Sequence, residues 1–134
     1  MTLKPAGLDK SVGILSVAIL KDPNYPQWDN DPAMKEWRTW MDKYYPEGDK
    51  SDGGNIYAYL IAQTLVQVLK QCGNDLTREN IMRQAASLHD LELPMLLPGI
   101  RINTSPTDYR PVKQMQPIRF NGRNWDLFGD LIAG

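Results

Sequence analysis

The sequence predicts an incomplete α/β fold: helices packed with a few strands and a C-terminal hairpin. Three observations carry this. A short apolar, β-branched run opens the chain, "GILSVAIL" at 13–20, and runs of that length and type form buried strands. Three segments with helical apolar spacing follow. The C-terminal third then alternates around Asn121-Gly122, the strongest short-range hairpin signal. The order strand, three helices, strands is not the regular alternation of a complete parallel α/β domain.

Each element has local causes. "KDPNYPQWDND" (21–31) is rich in proline, asparagine and aspartate and reads as an irregular loop. Asp31-Pro32 supplies an N-cap carboxylate and a first-position proline. A helix should therefore run to about Tyr45, burying Met34, Trp37, Trp40, Met41 and Tyr44 as one stripe, with Pro46 as its stop. The longest helix is predicted over 55–72. Tyr57, Ile61, Leu65, Val68 and Cys72 share one face, and Tyr59, Leu60, Val66 and Leu69 widen the apolar surface. This implies burial on more than one side. Gly73 is a left-handed stop. Thr77 caps a third helix with Glu79 in its first turn, and Ile81, Met82, Ala85 and Leu88 form its buried stripe. "LELPMLLPG" (91–99) holds two prolines and cannot be a long helix. "GIRIN" (99–103) alternates as a strand. Pro117, inside the first hairpin strand, predicts that this stretch lies at a sheet edge.

Bulk properties narrow the function. With 134 residues the chain is expected to form a single domain. Fifteen basic against 16 acidic side chains, a net charge of -1, leave no basic signature for nucleic acid. The single cysteine, Cys72, excludes an internal disulfide framework and is expected to be buried and inert. No apolar run approaches the roughly 18 residues needed to span a bilayer. The N-terminal residues lack a secretion signal, so the chain as written is expected in the cytoplasm.

Chemistry-bearing motifs are sparse. His89 is the only histidine, expected to be solvated at a helix end. Asp22, Asp29 and Asp31, and separately Asp49, Ser51, Asp52 and Gly53, fail the calcium-loop pattern and read as capping and turn residues. Asn103-Thr104-Ser105 fits a glycosylation sequon, a pattern frequent by chance. No glycine-rich phosphate loop is present, no enzyme constellation stands out, and no cofactor is expected. Tyr57 and Tyr59 open a helix after a glycine-rich loop, a position whose free N–H groups and dipole suit a carboxylate ligand.

Three blocks in order, "LKPAGLDKSVGILSVAILKDP…DPAMKEWRTWMDKYYPEGD", "YAYLIAQTLVQVLKQCGNDLTRENIMRQAASL" and "LPGIRINTSPTDYRPVKQMQPIRFNGRNWDLFG", resemble the C-terminal part of periplasmic solute-binding proteins. The similarity is to the branched-chain amino-acid receptors of ABC transporters. The resemblance implies a portion of a two-lobed fold that closes on a small ligand. Residues 1–20 and 98–134 would belong to the second lobe and 21–97 to the first. It also implies non-catalytic capture of an amino acid or other small carboxylate, a periplasmic location and an ABC permease as partner. Asn55 and Tyr57, at the start of the long helix, would contact ligand. The wide apolar faces would lack their covering sheet, so the isolated chain is expected to be a homo-oligomer. The alternative is a stand-alone cytoplasmic interaction or oligomerisation module that binds no small molecule.

Overall fold

The computed structural model describes residues 3–134. It is a mixed α/β arrangement of three helices and a small antiparallel sheet. In chain order these are β1 (Leu15–Ala18), α1 (Pro32–Tyr44), α2 (Gly53–Cys72), α3 (Arg78–Ala85), β2 (Gln114–Phe120), β3 (Trp125–Leu127) and β4 (Ile132–Ala133). The sheet draws its strands from both ends of the chain, and the helices come from the middle.

The helix ends form where local chemistry places them. The Asp31 carboxylate accepts from the Met34 N–H at 3.0 Å, with Pro32 opening α1. Asp52 caps α2 by accepting from the Gly54 N–H at 2.8 Å. Gly73 ends α2 at φ +58, and the Thr77 hydroxyl accepts from the Asn80 N–H at 3.4 Å to start α3. One residue of this helical corner was hidden in the sequence. Asn80 is buried, and its side-chain amide donates to the Asp75 carbonyl at 2.7 Å and the Cys72 carbonyl at 3.3 Å. It satisfies carbonyls that the end of α2 leaves free.

The buried faces differ from the predicted stripes. On α1 the seam is Met34, Trp37 and Met41; Trp40 and Tyr44 stand outside it. Trp40 instead packs its ring on Tyr44 and Tyr59, at centroid distances of 5.6 and 5.1 Å. On α2 the buried residues are Ile56, Leu60, Val68 and Cys72. Tyr57, Ile61 and Leu65, expected inside, are exposed, and the helix is covered on one side only. A helix apolar all round carries no preference in its own periodicity, so the packing partner chose the face. On α3 Met82 is exposed, and Leu88 is buried beyond the helix end. Cys72 is buried as expected.

The segment 91–102 joins two apolar clusters. Met95 packs with Met34, Trp37, Met41 and Ile56. Leu96, Leu97, Ile100 and Ile102 pack with Leu60, Val68, Cys72 and Leu88. The segment is extended rather than helical. The Leu97 N–H donates to the Ile19 carbonyl at 2.9 Å and the Lys21 N–H to the Met95 carbonyl at 3.0 Å, so residues 19–21 run antiparallel beside 95–97. The strand predicted over 99–103 reduces to isolated bridges from Ile102 to Leu91 and Val112.

β1 pairs antiparallel with β2, from Leu15 opposite Arg119 to Ala18 opposite Gln116. It was expected to be buried, yet Leu15 is 61% and Val17 44% exposed. A four-residue strand without alternation does not reveal whether its sheet is covered on one face or both, and β1 lies at the edge. The β2–β3 hairpin forms as expected, one position later in its turn. The Asn121 N–H donates to the Asn124 carbonyl at 2.9 Å, leaving Gly122 and Arg123 to reverse the chain. Gly122 takes φ +98, which glycine adopts without strain.

Pro117 does not mark an edge. It lies in β2, which has β1 on one side and β3 and β4 on the other. The break between β3 and β4 falls opposite Pro117, where one fewer donor is needed. The Phe128 N–H still donates to the Pro117 carbonyl at 3.1 Å. Proline cannot return a bond to the Phe128 carbonyl, and the Gln116 side-chain amide does so instead at 2.8 Å. Gln116→Ala is therefore expected to cost about 1 kcal/mol by orphaning that carbonyl. Gln116→Glu should cost at least as much, because a carboxylate cannot donate. Urea unfolding checks this; an unchanged midpoint in Gln116→Ala would show that water replaces the amide without loss.

Candidate functional site

A cleft separates the sheet from the loops that precede α1 and α2. Its helix-side wall is built from two short turns. The Asp22 carboxylate accepts from the Asn24 backbone and side-chain N–H groups, both at 2.8 Å. The Asp49 carboxylate accepts from the Ser51 N–H at 2.8 Å and hydroxyl at 2.7 Å. The Asn24 amide also donates to the Ser51 carbonyl at 2.8 Å, tying one turn to the other. The opposite wall comes from β1 and the tip of the β2–β3 hairpin.

The cleft holds two adjoining cavities. The apolar one, about 360 Å³, is lined mainly by apolar side chains, among them Ala18, Leu20, Trp28, Leu97, Ile118 and Leu127. The polar one, about 970 Å³, has Asp22, Asn24, Asp49, Asp52, Arg123 and Asn124 around it. Ser16, Asp22, Tyr25, Gly53 and Trp125 border both. Apolar lining with a few convergent polar groups is the usual form of a small-molecule site.

Charge in the cleft is arranged by a few contacts. Lys21, nearly buried, bonds Asp31 at 2.7 Å and sits 5.3 Å above the Trp28 ring. Burial alone would raise the Asp31 carboxyl. The Lys21 hydrogen bond, the Met34 N–H and the Lys21 charge outweigh that and hold it below its ordinary value. One carboxylate thus caps α1 and anchors Lys21 beside the apolar cavity. Burial, and then the charge and hydrogen bond of Asp22, push the Tyr25 phenol well above its ordinary value. Tyr25 therefore remains a protonated donor at the boundary between the two cavities.

Neither of the two residues singled out in the sequence, Asn55 and Tyr57, lines this cleft. The Asn55 amide donates to the Asp49 carbonyl at 2.8 Å, bracing the acidic turn against α2. Tyr57 is 52% exposed on the outward side of α2. Of that helix start, Gly53 is the residue that reaches the cavities. Lys21, Tyr25, Arg123 and Trp125 were not singled out. The one available signal was the aromatic and charged content of the loop after the first apolar run; nothing local marks the hairpin tip.

The remaining polar motifs have structural roles. Asp29 pairs with Arg38 at 2.9 Å, and Arg38 also donates to the Pro23 carbonyl at 3.0 Å. The Asn103 side chain accepts from the Asp90 N–H at 2.8 Å and lies 3.1 Å from the exposed His89 ring. Thr104 donates to the Ala85 carbonyl and accepts from the Leu88 N–H, closing the end of α3. Among the described residues no group of three or more His, Cys, Asp or Glu side chains is placed to hold a metal ion, and no helix is long and apolar enough to cross a membrane.

No family model and no curated protein sequence matches the chain. Solved structures do. One is a possible leucine/isoleucine/valine-binding protein from Rhodopirellula baltica SH 1, 17% identical, with a TM-score of 0.66 over 95% of this chain and 32% of that one. Another is a branched-chain amino acid ABC transporter protein from Thermus thermophilus with bound valine, 13% identical. It gives a TM-score of 0.73 over 98% of this chain and 36% of that one. At these identities the likeness establishes the fold, and the chain spans about a third of the length of either structure. The α/β arrangement expected from the sequence is thus that of part of such a binding protein.

Proposed function

We propose that the chain is the C-terminal portion of a solute-binding component of an ABC importer, and that its cleft contributes to capture of a small amino acid without chemical change. The observation that carries this is an apolar cavity beside one that holds both signs of charge, in a fold of which one solved structure holds valine. Arg123 suits a ligand carboxylate, and the Asp22 and Asp52 carboxylates suit an ammonium group. The apolar cavity suits a branched aliphatic side chain. Residues 1–20 and 98–134 belong in this reading to one lobe and 21–97 to the other, with the cleft between them. Asn55 acts at its border through the Asp49 carbonyl. No catalytic step or cofactor is invoked; the ligand is passed to a membrane permease, which places capture in the periplasm. The uncharged outward face of α2 favours a second reading, a stand-alone module that associates with protein rather than ligand.

Trp28 and Trp125 border the cleft, so ligand entry should change tryptophan fluorescence. Titration with L-valine, L-leucine and L-isoleucine is expected to give a saturable change. Arg123→Ala should weaken it about tenfold, the loss of one charge-assisted contact of roughly 1.4 kcal/mol. Isobutyrate, which lacks the ammonium group, should bind more weakly than valine. A folded chain with no saturable change for any of the three amino acids would remove the proposal.

A further inference from the structure

Lys21 carries more bonding capacity than the fold uses. It is 9% exposed, buried by the chain itself. Its ammonium has three N–H donors. Among the described residues one oxygen accepts from it, the Asp31 carboxylate at 2.7 Å. The ammonium also stands 5.3 Å from the centre of the Trp28 ring. Lys21 and Trp28 both line the apolar cavity of the cleft. A buried donor left without an acceptor is costly, more so when it is charged. A cavity wall that keeps such a donor is suited to a ligand that brings the acceptor with it.

Resting on the reading of the cleft as an amino-acid site, we propose that Lys21 is the specificity-determining residue of its apolar cavity. The preferred amino acid then has a side chain with a flat apolar body and an uncharged oxygen acceptor at its far end, as tyrosine has. Three features select this class. The first is charge. Asp31 already neutralises Lys21, so a side-chain carboxylate would compete with Asp31 for the same ammonium. Asp22, on the same cavity, adds negative charge against it. A hydroxyl or carboxamide oxygen accepts from a spare N–H and leaves the ion pair intact. The second is the lining. Tyr25, Trp28 and Trp125 all border this cavity, and aromatic rings pair favourably with an aromatic ligand. The third is size. The cavity, about 360 Å³, falls within the range of about 300–1,000 Å³ of small-molecule pockets, and an aliphatic side chain fills only part of it. Arg123 lines the polar cavity and Lys21 the apolar one, so the two cations serve opposite ends of the ligand. Aliphatic amino acids bind by the same scheme with the spare donors of Lys21 unused, and therefore less tightly.

Isothermal titration calorimetry of the full chain with L-tyrosine and L-phenylalanine tests this, because the two ligands differ only in the hydroxyl. The parent chain should bind tyrosine about tenfold more tightly, the effect of one hydrogen bond to a charged donor. Lys21→Met removes the donor and should bring the ratio close to one, with far-UV circular dichroism confirming that the variant is folded. A second variant decides the matter if Lys21→Met does not fold. Asp31→Asn leaves the Lys21 charge uncompensated. The parent should prefer L-glutamine to L-glutamate, and Asp31→Asn should reduce or reverse that preference. Equal affinities for tyrosine and phenylalanine in the parent overturn the inference. So does a tyrosine preference that persists in Lys21→Met, or a glutamine preference unchanged in Asp31→Asn. Saturable binding of valine, leucine or isoleucine alongside equal tyrosine and phenylalanine affinities removes this inference and leaves the amino-acid site standing. Absence of binding by every amino acid tested removes both.

Discussion

Trp37→Ala is expected to leave the chain largely unfolded, whereas Trp37→Phe should cost little. Trp37 is 0% exposed and packs with Met34, Met41, Ile56 and Met95, the contacts that fix α1 to α2 and to the 91–102 segment. Truncating a buried tryptophan to alanine costs about 3–5 kcal/mol. A domain of this size holds only about 5–15 kcal/mol in total. The open face of α2 and the edge strand β1 add no buried area, which places this chain toward the lower end of that range. Phenylalanine behaves differently because the indole Nε1 is buried without a hydrogen-bond partner among the described residues. Removing an unsatisfied donor recovers part of its desolvation cost, about 1–3 kcal/mol, and offsets the volume lost. Urea unfolding followed by far-UV circular dichroism separates the two variants. If Trp37→Phe is as damaging as Trp37→Ala, the indole N–H has a partner and the packing account of this cluster is wrong.

The second large effect is expected at Lys21. Lys21→Met keeps the apolar stem but removes the charge that faces Asp31, leaving a mostly buried carboxylate without its cation. Breaking a fully buried pair from one side costs about 3–5 kcal/mol; here Asp31 keeps the Met34 N–H and some solvent, so about 2 kcal/mol is expected. Asp31→Asn should cost less, because asparagine caps a helix nearly as well and only the ion pair is lost. The same pair sets a pH dependence. The folded-state pKa of Asp31 lies below the ordinary aspartate value, so its contribution is present above that ordinary value. It is lost as pH falls through the lower folded pKa. Asp49, Asp75 and Asp108 are shifted in the same direction by their own hydrogen bonds, so the parent chain shows a composite loss in acid. Subtracting the Asp31→Asn stability curve from the parent curve isolates the Asp31 part. A difference that stays constant down to pH 2 would mean that the pair contributes nothing specific to the folded state.

The sequence by itself determined whatever depends on a few neighbouring residues. Asp31-Pro32, Thr77 and Gly73 bound helices because a cap needs only a side chain, an N–H two or three positions away, or a glycine at positive φ. The hairpin formed around Asn121-Gly122 for the same reason, its turn displaced by one residue. The thiol of Cys72 went inside as its type and position implied. Relations between distant segments were set by the tertiary structure. Either face of α2 satisfied helical periodicity, and contact with the 91–102 segment selected Ile56 and Leu60 over Tyr57 and Ile61. Pro117 entered a paired strand because Gln116 and the break between β3 and β4 supply what proline lacks, and no local rule contains that exchange. The cleft was least legible of all. Lys21, Tyr25, Arg123 and Trp125 come from opposite ends of the chain and meet only because β1 pairs with β2. Caps and turns are written in contiguous residues, but a cavity exists only between surfaces, and surfaces are fixed by long-range packing.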